Sequence, residues 1–539
     1  MQDLVKPFPR PALRLEALVR ARWLVPLLTL ALAGVLLYRS PWSASNLEIV
    51  PDSVEYAVVA QRVATLGRWD LSINGGSYPA RYPPWFSVLL APAYLLAPSE
   101  PGAGILVVLA FALAGLLAAY AIGRRLAGEW GGAAAACALM AYIGYNVMAK
   151  KIMTDMPATA VGLLGGWLFL RMRAQPMRRD YVLAGLLMGL AVAVRNENVA
   201  MLLPFAGLAL RPKEGRIGNL LVLLLPTLLV AGATAAYNQA AFGDWHRTGY
   251  QFWCPLPYDY RELIFSPHFI RDNLEMLKAK QVLLAVALGL VGIGLLWRQR
   301  APALRPVLIY LALAALPVTL FHLFYFYAAY RFHLLGLALG LILGGAGLAT
   351  LVPEALKRSS WLLPALLAAA SLAVPFVRHP DPVPDRLLAA QAFAQATTKN
   401  AVIVTNIDAV YLEPLVLRDT ERRIVPMTRG AEYASKCIAP RRIALPPGVT
   451  PHYVFGQGSR QLLHYGARNV IPFTAEEAPQ QLEAWARQGV PVYLDHRSPV
   501  PPDLTAAPLR WAPVREYPWL LRLQAAPEPA RQASGRNRP

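Results

Sequence analysis

The chain has 539 residues, 56% of them hydrophobic, with 52 Lys and Arg against 32 Asp and Glu. Its net charge is +20 and its mean hydropathy +0.38. A chain this long and this apolar, with its apolar residues in blocks, excludes a soluble protein and fits a polytopic membrane protein. The basic surplus lies largely in short loops between apolar blocks, where it is a topology signal, so nucleic acid is set aside as a partner. Surplus positive charge also suits anionic membrane lipids or a phosphate-bearing substrate.

Residues 1–22 read as a basic cytoplasmic tail. It leads into a span too long for a signal peptide, with no A-x-A site after it. Eleven spans are expected, at about 20 apolar residues each. They fall near 23–39, 101–121, 131–149, 155–171, 181–195, 198–210, 217–237, 281–297, 305–326, 332–351 and 360–377. Basic residues mark alternate connections: Arg20 and Arg22, Arg124 and Arg125, Arg171 to Arg179, Arg211 to Arg216, Arg298 to Arg305, and Lys357 with Arg358. The positive-inside rule makes these cytoplasmic, with the N-terminus inside and the C-terminus outside.

The outer face then carries the polar residues that can do chemistry. The long first loop, 40–100, contains PDSVEYAVVAQRVATLGRWDLSINGGSYPARYPP, with Asp52 and Glu55 three residues apart and Arg81 beside a Tyr-Pro-Pro step. The run WFSVLLAPAYLLA (85–97) is short and Pro-bounded, so it reads as an interfacial or re-entrant helix. Span three is followed by AKKIMTDMP, with Lys150, Lys151 and Asp155. Arg195 and Glu197 sit in a tight RNEN turn, either sealing it or serving the site. Span seven is followed by YNQAAFGDWHRTGY, with Asn238 and His246, and span ten opens with YRFH, with Arg331 and His333. Carboxylates and arginines kept at the ends of spans usually have a use.

From 378 onward the pattern changes. Period-2 runs at 401–405, 422–427, 452–456, 491–495 and 519–524 read as strands, and 481–489 as a helix. This is a small α/β domain, 378–527, with 528–539 expected to be disordered. The expected fold is an all-α polytopic membrane domain (23–377) followed by that soluble domain. Cys137 lies in a span. Cys254 and Cys437 fall on the same outer side, as a disulfide or as two free thiols.

Such a set of residues suits transfer from a lipid-phosphate donor. Cations hold the leaving phosphate, and a carboxylate takes the proton of the acceptor. No P-loop or G-x-G-x-x-G motif is present on the inner face. A divalent ion (Mg, Mn or Zn) shared by acids and phosphate is allowed, with no ligand set assigned.

The outward Asp after span one, the basic-Tyr-Pro-Pro step, the second acid after span three, the Y-N-x-x-x-F-G loop and the Y-R-F-H opening resemble the GT-C glycosyltransferases. The likeness is to the branch of bacterial protein O-mannosyltransferases and lipid A aminoarabinose transferases. The resemblance implies a polyprenyl-phosphate (undecaprenyl-phosphate) sugar donor and inversion at the anomeric centre. It implies a lipid, glycan or protein acceptor at the periplasmic face of a bacterial inner membrane. It carries catalysis to Asp52, Glu55 and Asp155, leaving open which of the first two is the base. It carries donor phosphate binding to Arg81, Lys151 and Arg331, and substrate binding to Tyr56, Tyr82, Asn238 and His333. Three other readings remain at this stage: a transporter or flippase of lipid-linked sugars, a glycan ligase or polymerase using a lipid-diphosphate donor, and a non-catalytic scaffold whose tail domain binds a partner.

Overall fold

The computed structural model describes residues 23–47, 51–174, 176–211, 215–253, 258–359, 361–377, 385–405, 407, 409–418, 420–426, 455–456, 459–460, 478–497, 500, 502–506 and 509–524. The expected N-terminal tail, the Cys254 and Cys437 pairing and the 528–539 tail lie outside these residues. Contacts sort the chain into two units. One draws on 1–46, 102–235 and 267–382, the other on 47–101, 236–266 and 383–539. The first outer loop thus groups with the C-terminal sheet domain.

The first unit is helical. Among the described residues, five helices of the chain are long and apolar enough to cross a membrane: Ile105–Ala141, Arg216–Phe242, Lys280–Arg298, Leu304–Leu323 and Tyr330–Ala349. Leu24–Leu37, Pro84–Leu96 and Leu362–Phe376 are shorter apolar helices. The helix Asp155–Ala174 and the helix Arg178–Val194 occupy two more expected spans. Ile105–Ala141 breaks at Ala127 and at Gly128, where φ is +69°, a left-handed value that suits glycine. The break falls between the second and third expected spans, beside Arg124 and Arg125.

The core of this unit is the helix Leu334–Ala349, packed against Ile105–Ala141 and Lys280–Arg298. A Cβ on Gly292 would lie 2.2 Å from the Leu343 carbonyl oxygen. The two backbones can therefore approach closely only because the contact is made of small residues. Leu304–Leu323 contains a π-helical turn, Leu311–Ala315, just before Pro317. Proline has no N–H to give to the preceding turn, and a widened turn absorbs the missing bond.

In the second unit the helix Pro51–Leu66 packs on Pro84–Leu96. Between them runs a hairpin, β1 (Asp70–Ile73) and β2 (Gly76–Pro79). Its two turn residues, Asn74 and Gly75, have φ of +51° and +81°, as a two-residue hairpin turn requires. Further along lie β3 (Val402–Thr405), β4 (Arg423–Pro426), the short β5 (Phe455–Gly456) and β6 (Ser459–Arg460), then β7 (Val492–Asp495), β8 (Arg510–Val514) and β9 (Tyr517–Gln524). The sheet order is β4-β3-β7-β9-β8. β3 is parallel to β4 and β7, while β9 is antiparallel to β7 and β8. The parallel strands β3 and β7 are buried along their whole length, which explains their unbroken apolar runs. Val402, Val404, Val492 and Leu494 pack on Leu482 of the helix Ala478–Arg487.

Asn74 does more than turn the hairpin. Its Nδ2 donates to the Ile424 carbonyl at 2.9 Å, and its Oδ1 accepts from the Ile424 N–H at 2.8 Å. The side-chain amide thus acts as a short strand on the β4 edge. Asp70 ties the base of the hairpin to the helix before it, through Arg62 at 2.8 Å, Arg68 at 2.6 Å and the Ser77 hydroxyl. Burial disfavours the Asp70 carboxylate, but the hydrogen bonds from Arg62 and Ser77 and the two arginine charges outweigh it and lower its pKa.

Two outcomes follow. Asn74→Gly keeps the turn and removes both bonds, so the Ile424 amide should lose hydrogen-exchange protection; Asn74→Ala adds left-handed strain and should cost about 1–3 kcal/mol in all. A carboxyl with a lowered folded pKa stabilises above its ordinary range and stops doing so as pH falls through the lowered value. Exchange protection of β1 and β2 should therefore fall on acidification below about pH 4, and Asp70→Asn should abolish that response.

Candidate active site

The first loop brings five of the expected residues together. Asp52 and Glu55 lie one helical turn apart on Pro51–Leu66, so both face the same side. Glu55 and Arg81 form an ion pair at 2.9 Å with side chains 1% and 2% exposed. The Arg81 backbone N–H also donates to the Glu55 carboxylate. The pair pins the RYPP step to the helix. Asp52, in contrast, is half-buried. It accepts a hydrogen bond from the Tyr82 hydroxyl at 2.5 Å. Its place in the first helical turn is where the helix dipole favours negative charge.

Aromatic rings surround this carboxylate. Tyr56 lies 4.8 Å from Tyr82, and Tyr82 lies edge-on to Tyr250 at 5.4 Å. Trp253 donates its indole N–H to the Pro79 carbonyl at 2.6 Å. A Cβ on Gly249 would sit 2.2 Å from the Ala80 carbonyl oxygen, so only glycine lets the helix Gly249–Trp253 cross here. The aromatic residues Tyr250 and Trp253 were the sequence signal for this wall, and reading that stretch for its polar residues missed it. Asn238 joins neither group: its Nδ2 donates to the Trp245 carbonyl at 3.3 Å in an exposed turn.

In the helical unit, Asp155 opens its helix and is 2% exposed. Arg195 bridges it to Glu197, with Nη1 at 2.8 Å from Asp155 Oδ1 and Nε at 2.7 Å from Glu197 Oε1. Arg331 reaches the second oxygen of Asp155 at 3.6 Å. The Phe332 ring lies under both guanidiniums, at 5.1 Å and 5.2 Å, and His322 stacks on it at 4.5 Å. His322 Nε2 is 3.6 Å from Glu197. Burial works against the Glu197 carboxylate, yet Arg195 and His322 outweigh it and keep its pKa below the ordinary value. The RNEN turn therefore does more than seal itself, and His322 is a member that the sequence did not mark.

Asp155, Arg195, Glu197, Arg331 and Phe332 line one cleft with Thr159, Thr319 and His333. Ala315, at the end of the π-helical turn, and Val318 and Thr319 in the α-helical turns after it lie on the cleft wall. Lys151 is half-buried in the turn that precedes Asp155. Asp155, Arg331 and His333 thus share one cleft; Asp52, Glu55, Tyr56, Arg81 and Tyr82 share one helix-and-loop cluster. Among the described residues, no three His, Cys, Asp or Glu side chains are arranged to hold a metal ion.

The model of the dolichyl-phosphate-mannose-protein mannosyltransferase family matches residues 81–236. No curated protein sequence matches the chain. Among solved structures, ArnT from Cupriavidus metallidurans in the apo state aligns at TM-score 0.54 and 16% identity, covering 96% of this chain and 100% of that one. The same protein bound to undecaprenyl phosphate aligns at TM-score 0.55 and 17% identity, covering 94% and 100%. The fold is GT-C. The Archaeoglobus fulgidus oligosaccharyltransferase in complex with Zn and sulfate is a more distant match, at TM-score 0.46 and 13% identity over 87% of this chain and 68% of that one. Within this GT-C fold, the family match begins at Arg81 and runs through Asp155 and Arg195.

The Glu55–Arg81 pair gives a direct test. Removing one partner of a buried pair leaves an uncompensated charge, at a cost of about 3–5 kcal/mol. Arg81→Met alone should therefore lower the melting temperature strongly. Arg81→Met with Glu55→Leu should lose less than either single change, a coupling that a double-mutant cycle reads directly.

Proposed function

We propose that this chain is a glycosyltransferase. It moves a sugar from a polyprenyl-phosphate donor to an acceptor hydroxyl or amine at the outer face of a bacterial inner membrane. The observation that carries this reading is Asp52. It is a half-buried carboxylate at the start of the first helix after the first apolar helix, held by the Tyr82 hydroxyl at 2.5 Å. The GT-C likeness and the undecaprenyl phosphate bound by the ArnT relative support a lipid-phosphate donor.

On this reading Asp52 takes the proton of the acceptor as the acceptor oxygen or nitrogen attacks the anomeric carbon. The bond from that carbon to the phosphate oxygen breaks from the opposite side, so the centre inverts and the polyprenyl monophosphate leaves. Lys151 and Arg331 hold the phosphate as its charge develops. Glu55 is committed to Arg81, so both act by positioning: their pairing fixes Tyr82, and Tyr82 aims Asp52. Asp155 orients Arg331 in the same way. A general base typically contributes 10²–10⁴-fold, which sets the size of the expected loss.

Full-length protein in nanodiscs, supplied with radiolabelled polyprenyl-phosphate sugars, is the test. Asp52→Asn should bind donor as the wild type does and lose roughly 10²–10⁴-fold in kcat. Tyr82→Phe should lose less, because it keeps the ring and removes only the aiming bond. Equal turnover by wild type and Asp52→Asn would remove Asp52 from the role of base.

A further inference from the structure

His333 is the least explained polar group in the helical unit. It is 3% exposed, and it lines the cleft with Asp155, Arg195 and Arg331. Neither of its ring nitrogens has a hydrogen-bond partner among the described residues. Buried polar atoms are nearly always paired, and an orphaned one is destabilising. Here the orphan is an entire imidazole at the wall of a cleft. A ligand that bonded both nitrogens would recover that cost.

The surroundings narrow the chemistry of the ligand. The cleft holds two guanidiniums and two carboxylates, and Arg195 is bonded to both Asp155 and Glu197. Arg331 faces the second oxygen of the same Asp155, so each guanidinium has a carboxylate beside it. Beside the imidazole the wall is apolar, built from Val318, Leu334 and Leu335. Neutral imidazole offers one donor and one acceptor. The two nitrogens point apart, so two hydroxyls of one polyol, one accepting and one donating, match them. A ring carrying hydroxyls at its edge and C–H groups on its face matches both parts of this wall.

We propose that His333 is a specificity-determining contact that hydrogen-bonds a sugar hydroxyl in this cleft, the sugar belonging to the lipid-linked donor or to the glycan acceptor. This rests on the glycosyltransferase reading above and extends it to the choice of sugar.

The test compares wild type, His333→Leu and His333→Gln as full-length proteins in nanodiscs. Leucine removes the orphaned nitrogens, so its melting temperature should equal or exceed that of the wild type. Its kcat/KM should nevertheless fall roughly 10–100-fold, because a site built to bond a hydroxyl loses most when that bond is lost. Glutamine, which keeps a donor and an acceptor, should recover part of the loss. Donors carrying mannose, galactose or arabinose, and their monodeoxy forms, locate the bond. The wild type should discriminate against one deoxy form and His333→Leu should not. A loss seen when donor is varied assigns the hydroxyl to the donor, and a loss seen when acceptor is varied assigns it to the acceptor.

The proposal is overturned if His333→Leu keeps kcat/KM within twofold for both substrates, or if activity falls only in step with folded protein. Should the leucine variant not fold, the glutamine variant and the deoxy donors on wild type decide the question. Saturation-transfer NMR with the methyl glycosides of the same three sugars separates the two claims. Binding that depends on His333 in a protein without transfer activity sinks the proposed function and keeps this inference. Transfer that ignores His333 does the reverse.

Discussion

The buried ion pair between Glu55 and Arg81 is the constraint on which the outer-loop cluster depends. Two charges with side chains 1% and 2% exposed are stable only together. Their union fixes the distance between the first turns of Pro51–Leu66 and the RYPP step, and the neighbouring Tyr82 is thereby delivered to Asp52. A carboxylate three residues earlier on the same helix stays half-buried and reachable. The pair thus divides two acids that look equivalent in the sequence into one that builds and one that can react.

The helical unit repeats this logic with a bridge in place of a pair. Arg195 is shared between Asp155 and Glu197, and Phe332 lies beneath the guanidiniums of Arg195 and Arg331. Burial alone would push Glu197 toward neutrality; Arg195, the largest opposing influence, keeps its pKa below the ordinary value. The result is a cleft in which, among the described residues that line it, His333 is the polar group left without a hydrogen-bond partner. A network so fully committed is rigid, and rigidity is what a site needs to tell one hydroxyl arrangement from another.

Much of this was legible beforehand, for physical reasons that can be named. Apolar blocks of span length and alternating basic connections are long-range signals, and they gave the helical character; the GT-C likeness rested on Asp52, the RYPP step, Asp155 and the YNQAAFG and YRFH motifs. The strands at 402–405 and 492–495 were readable because they are buried along their length and so need unbroken apolar runs. β8, Arg510–Val514, was not, because RWAPV carries a proline and an exposed arginine on an edge. The hairpin at Asn74 and Gly75 carried its own turn signature, yet its bond to Ile424 spans 350 positions and has no local trace. At the site, residue types and spacing marked Asp52, Glu55 and Arg81. They did not reveal that Arg81 would pair with Glu55, since pairing is decided by burial. Likewise YRFH marked Arg331 and His333, while His322, an ordinary residue in an apolar run, joined them only through packing on Phe332.

The proposed transfer is a single chemical event, the breaking of the bond between an anomeric carbon and the oxygen of a lipid monophosphate. The most direct measurement is NMR of the purified protein turning over a donor labelled with ¹³C at the anomeric carbon, with ³¹P followed in parallel. The account predicts one equivalent of polyprenyl monophosphate for each glycoside formed, with the anomeric configuration inverted. An intact donor moved across the membrane without cleavage, a requirement for a lipid diphosphate, or retention of configuration would contradict it.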